Sequence, residues 1–123
     1  MTATPNGGRT TAPIRAEAGE RAWTEAARLQ LRAEPAHADF YALAAAIVPT
    51  LDTMQDLAGV LGDQVAEYGR GRAVYDDTRS YDPEARLAEA ADDLRQLGHA
   101  LGVARRHANR FWSAISHIGV EAQ

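Results

Sequence analysis

The chain contains no cysteine and no lysine, and it has neither a long apolar run nor a basic excess. Without cysteine there can be no disulfide, no thiolate nucleophile and no cysteine-held zinc or iron–sulfur centre. The longest apolar run, YALAAAIV at 41–48, falls far short of the roughly 20 residues that span a bilayer. The opening MTATPNGGRTTAP lacks the apolar centre of a secretion signal, so a cytoplasmic protein is expected. A net charge of -4 and a pI near 5.5 argue against a chain whose main task is to coat nucleic acid or an anionic membrane.

Catalytic and metal-binding patterns are missing as well. No nucleophile elbow and no phosphate-binding G-x-x-x-x-G-K-[ST] loop occurs, and His99, His107 and His117 show no i, i+4 pairing on one helix face. Glu34 and His37 form a single E-x-x-H, interrupted by Pro35. A carboxylate-bridged di-metal bundle needs two such motifs and further inward glutamates. No catalytic residue, cofactor or metal ligand is therefore expected.

What remains is 123 residues, 46% hydrophobic and 24% charged, the composition of one soluble globular domain. Arginine as the sole cationic aliphatic residue, with abundant alanine, carries the codon bias of a G+C-rich, actinobacterial type of genome. Residues 1–13, rich in Thr, Gly, Pro and Asn, have the composition of a disordered tail. One helical-bundle domain is expected over 14–119, with helices at about 14–34, 36–69 and 83–118, followed by a short tail at 120–123.

The first of these segments has good helix formers and a weak stripe of Trp23, Ala27 and Leu31. Pro35 restricts Glu34 and separates it from the next. In the second, Phe40, Ile47, Met54, Leu61 and Tyr68 recur every seven residues. Ala44, Leu51, Ala58 and Val65 interleave four places on, which is a heptad pattern. Pro49 lies opposite that stripe, where a helix can kink around it. The third segment opens with Asp82 as N-cap and Pro83 at the first helical position. Leu87, Leu94, Leu101, Ala108 and Ile115 recur by sevens, with Ala90, Leu97, Ala104, Phe111 and Ile118 three places on, and Gly119 supplies a stop. Helices of this length measure on the order of 45 to 50 Å. The segment between them cannot span that distance, so the two run antiparallel. The expected fold is all-α: a long antiparallel hairpin, kinked at Pro49, preceded by a shorter helix.

Leu43, Val48, Leu57 and Trp112 flank the heptad positions and widen the apolar surface beyond what a lone two-stranded hairpin covers. They are the expected oligomer interface of a homodimeric four-helix bundle. The joining stretch YGRGRAVYDDTRSYDP at 68–83 is the one candidate binding site. Its charges match a turn: arginines follow a helix C-terminus and aspartates precede a helix N-terminus. Its length, about fourteen residues, exceeds the two to eight usual in bundles. Tyrosine and arginine are enriched in protein-interface hot spots, which points to Arg70, Arg72, Tyr75, Arg79 and Tyr81 as partner-binding residues. The expected function is that of a non-catalytic hairpin protein that self-associates and acts as an adaptor or accessory subunit for an unidentified protein. The alternative is a small nucleic-acid-associated accessory protein using Arg105, Arg106 and Arg110.

Overall fold

A computed structural model describes residues 11–121. It contains three helices and, among the described residues, no strand: α1 (Thr11–Arg32), α2 (His37–Glu67) and α3 (Pro83–Ser116). The chain divides into two compact units, with the boundary between Ala36 and His37. Residues 1–10 of the expected tail lie outside the described part, while Thr11, Ala12 and Pro13 already belong to α1. A proline is tolerated there because its missing N–H falls in the first turn, where that group has no intrahelical partner.

α1 has no buried residue. Trp23, Leu29 and Leu31 are 36%, 63% and 86% exposed, so the Trp23, Ala27, Leu31 stripe does not form a packed seam.

In the second unit α2 packs along α3. The helices are antiparallel: a methyl on Gly98 would lie 4.0 Å from Cβ of Ala58, and one on Gly62 would lie 3.7 Å from Cβ of Leu94. At the far end His37 Nε2 donates to the carbonyl of Ile115 at 2.9 Å. This half of the lone E-x-x-H is thus spent on the C-terminal end of α3, where free carbonyls need donors.

On α3 the seam residues are Leu87, Ala91, Leu94, Gly98, Leu101, Arg105, Ala108, Trp112 and Ile115, with Ala85, Gly102 and Ala104 also partly or wholly covered beside them. Steps of four and three alternate along the whole length. The leucine series is the one read from the sequence, but the second series is not. Leu97, Phe111 and Ile118 are 48%, 42% and 55% exposed, Ala104 alone of that series is partly covered, and the seam places beside Leu97 and Phe111 are taken by the next residues, Gly98 and Trp112. The physical reason is close approach. Glycine and alanine let the two backbones come near each other, and a large side chain at 98 would hold them apart.

α2 shows a related displacement. Its covered series begins as expected with Phe40, Ala44, Ile47 and Leu51, then continues with Gln55, Ala58, Gly62 and Val65, and with Gly69 just past the helix end. Met54, Leu61 and Tyr68 are 49%, 38% and 52% exposed. A straight helix drifts about 20° per heptad from a 3.5-residue repeat. One extra step of four, from Leu51 to Gln55, resets the seam. It follows directly on Pro49, which lies inside one continuous helix, exposed, as its place opposite the stripe required. Thr50 Oγ1 donates to the carbonyl of Ala46 at 2.7 Å, adding a bond beside the carbonyl that the proline leaves without an amide donor.

The ends follow local chemistry. Asp82 caps α3 by accepting from the Glu84 amide, with Pro83 first in the helix. At the other end the stop comes before Gly119. His117, at φ -91 and ψ -2, caps the helix, its amide donating to the Ala114 carbonyl and the Ile118 amide to the Ile115 carbonyl, so no left-handed glycine is needed.

Candidate functional site

The tip joining α2 to α3 is a built structure. Asp76, 8% exposed, is the one buried charged residue among those described. Its carboxylate accepts from the Thr78 amide at 3.1 Å and from the Thr78 hydroxyl. On its other oxygen it accepts from Arg86 Nε at 2.9 Å. Its carbonyl accepts from the Arg79 amide at 2.9 Å, closing a turn in which aspartate occupies the favoured first position. The Thr78 bond and then Arg86 hold the Asp76 carboxyl below its ordinary pKa, against burial, which pushes it up. Arg86 sits on the first turns of α3, so the tip is tied to the helix it leads into.

Three arginines lie over tyrosine rings: Arg72 over Tyr68 at 4.4 Å, Arg79 over Tyr75 at 4.2 Å and Arg86 over Tyr81 at 4.0 Å. Each such pair is attractive through the ring quadrupole. Arg79 is held at φ 59, a left-handed conformation that costs a side-chain-bearing residue on the order of 1 kcal/mol or more. Arg72 also donates to the carbonyl of Tyr68 at 2.9 Å, and Arg70 pairs with Glu67 at 3.0 Å. Both therefore serve the end of α2, where cations are favoured. Gly71, at φ 70, makes the exit from the helix. Gly69 serves proximity instead, since a Cβ there would lie 2.8 Å from Glu84 Oε1.

Of the five tip residues expected to bind a partner, Tyr75, Arg79 and Tyr81 are thus set in stacked pairs, while Arg70 and Arg72 are engaged at the helix end. Tyr75 is the most open of the three tip tyrosines, at 65% exposure. The sequence reading missed Asp76, Thr78 and Arg86, which organise the tip. The D-D-T order is a local sign of a side-chain-capped turn, whereas the reach of Arg86 across ten residues is set only by the fold.

The four residues expected at an oligomer interface do not share one surface. Trp112 lies in the intrachain seam, its ring edge-on to Tyr41 at 5.7 Å and 66°. Its indole N–H is buried without a hydrogen-bond partner. The reason is the displaced seam of α3, which makes 112 a packed position. Val48 follows Ile47 round the opposite side of α2 from Leu43 and Leu57. Beside Trp112 a shallow depression of about 280 Å³ is lined by Tyr41, Asn109, Ser113 and Ser116. It holds no base or acid that could activate its hydroxyls, and Ser116 Oγ is bonded to the Ser113 carbonyl.

Arg105, Arg106 and Arg110 are likewise divided. Arg105 packs in the seam, 3.6 Å from Asp52 Oδ1, and at about 100° per residue the other two turn away toward solvent. Such a set does not form the single cationic face that tracks a phosphate backbone. Among the described residues no group of three His, Asp or Glu side chains could hold a metal ion, and no helix is long and apolar enough to cross a membrane.

An apolar side of the hairpin remains uncovered. Met54 and Leu61 each precede a seam residue of α2, and Leu97 and Phe111 each precede one of α3, so all four are turned from the seam in the same rotational sense. In an antiparallel pair that sense brings them to the same side of the hairpin, with Leu57 beside them. Comparison of this all-helical hairpin chain with protein-family models, with curated proteins and with solved structures finds no match.

Proposed function

We propose that this is a non-catalytic helical-hairpin protein that self-associates and acts as an adaptor or accessory subunit, offering its interhelix tip to another protein. The observation that carries the reading is the Asp76-centred tip. A loop of this length costs backbone entropy to order, and a plain reversal needs far fewer residues. Here the order is maintained by a buried carboxylate and three arginine–tyrosine stacks, while the tyrosines stay open to solvent at 42% to 65%. Surface arranged in advance is what lets a contact form without a large ordering cost, and tyrosine and arginine are the residues that dominate such contacts. The reading takes the protein to work in the cytoplasm as a homodimer.

The test is affinity capture from the native host with the wild-type chain and with a variant carrying Arg72→Ala, Tyr75→Ala and Arg79→Gly. The glycine preserves the left-handed backbone at 79. Capture of one defined protein, lost in the variant at unchanged helicity and mass, is the expected result. Equal capture by both chains would return the tip to a simple connection.

A further inference from the structure

We propose that the uncovered apolar side of the hairpin, centred on Leu61 and Leu97, is the surface on which a second copy of this chain docks, giving a four-helix bundle of two hairpins about a two-fold axis. The inference rests on the self-association in the preceding reading and adds the surface responsible for it.

The buried residues of the hairpin's two helices are Ala44, Ala58, Ala91 and Gly102, and among the described residues no large side chain is fully buried. Two helices in contact along a seam of small residues form one layer, and a stable domain needs a second layer over its apolar face. The small residues that draw α2 and α3 together also push their large neighbours outward, onto one side.

Met54, Leu57, Leu61, Leu97 and Phe111 are 49%, 47%, 38%, 48% and 42% exposed. With side chains of roughly 200 Å², they present about 400 Å² of apolar surface, already the size of the largest patch on a typical monomer. A standard interface buries about 800 Å² on each partner, so these five supply about half. Leu43, Thr50, Ala90 and Ala104, along the same side, extend it.

The acids Asp52, Asp56 and Asp63 are placed by helix periodicity on the other side of α2. A two-fold axis through the Leu61 and Leu97 region therefore keeps these acids of α2 away from their counterparts, while Arg86 and Asp93, which also precede covered residues of α3, place one base and one acid on the patch side, and an isologous contact sets the same patch against itself. The antiparallel register, with Ala58 opposite Gly98, puts Met54, Leu57 and Leu61 beside Leu97 at the centre. Leu43 and Phe111 lie toward one end.

The experiment is sedimentation of the full chain with two sets of variants. Wild type should run at about twice the 13.3 kDa chain mass. Leu61→Glu with Leu97→Glu should run as a monomer with helicity retained, and Val60→Glu, on the outer side of α2, should remain dimeric. Because the chain lacks cysteine, a single Leu97→Cys should form a covalent dimer under mild oxidation, and Val60→Cys should not. A monomeric wild type would overturn both self-association and this surface. A dimer that persists in the double glutamate variant, or that cross-links through position 60 and not 97, would overturn the surface alone. If the double variant loses helicity, the cysteine pair decides. None of these outcomes depends on the tip, whose partner capture is measured separately.

Discussion

Gly98 offers a sharp test of how closely the two helices approach. A Cβ built at this position meets only Cβ of Ala58, at 4.0 Å, an ordinary carbon–carbon contact. Gly98→Ala should therefore fit without strain. It removes the entropic penalty of a helical glycine, about 0.8 to 1 kcal/mol, and covers one methyl group, so the expected gain is about 1 kcal/mol or slightly more. For a unit of this size that raises the midpoint of thermal unfolding by roughly 4 to 8 °C. Gly98→Leu extends three further carbons toward a neighbour with no gap left to fill, and overpacking of this kind costs about 1 to 3 kcal/mol. The two substitutions at one position should thus move stability in opposite directions. Gly59, where a Cβ meets nothing within 4 Å, is the control for propensity alone. Gly102, where it would lie 3.0 Å from Gln55 Nε2, should gain little on change to alanine, because the amide must first yield. Thermal unfolding by circular dichroism at one fixed chain concentration is the assay, since self-association makes the midpoint concentration-dependent. A lower midpoint for Gly98→Ala, or a Gly98→Leu variant that melts like wild type, would refute the seam.

Two further predictions concern the seam and the tip. Trp112→Ala should lower stability by about 2 to 3 kcal/mol, less than for a fully buried tryptophan because Trp112 is partly covered, and Trp112→Phe by less, since it also removes a buried N–H without a partner. Denaturant unfolding measures both, and a Trp112→Ala chain that keeps its stability while losing its dimer would put Trp112 back at the interface. At the tip the folded Asp76 carboxyl titrates below its ordinary value of 3.8, so its contribution is fully present above that value and is lost as pH falls through the folded pKa. Hydrogen exchange at the Thr78 amide should accelerate there ahead of α2 and α3. Asp76→Asn should weaken the same protection at neutral pH, and protection unchanged in the variant would show that the carboxylate does not hold the tip.

The sequence by itself determined the helices, their order and their antiparallel pairing. Local and periodic signals suffice for these: Asp82 and Pro83 start α3, Pro35 separates α1 from α2, and apolar residues recur by sevens over lengths that a short tip cannot span. It also marked the tip as unusual through its length and its tyrosines. Which neighbour of each leucine turns inward was decided only by the tertiary structure. Phe111 and Trp112 are one residue apart, as are Leu97 and Gly98, and hydrophobicity alone favours the larger apolar residue. The helices instead approach on glycine and alanine, where backbones can come close, and one step of four after Pro49 turns the second half of α2 by the same choice. The tip's centre was hidden for a related reason. Asp76 and Arg86 are ten residues apart on different elements, and their pairing exists only once α3 has folded beside the turn. Helix periodicity is a property of the chain, whereas the choice between adjacent faces and the pairing of distant charges are properties of the contact between two helices.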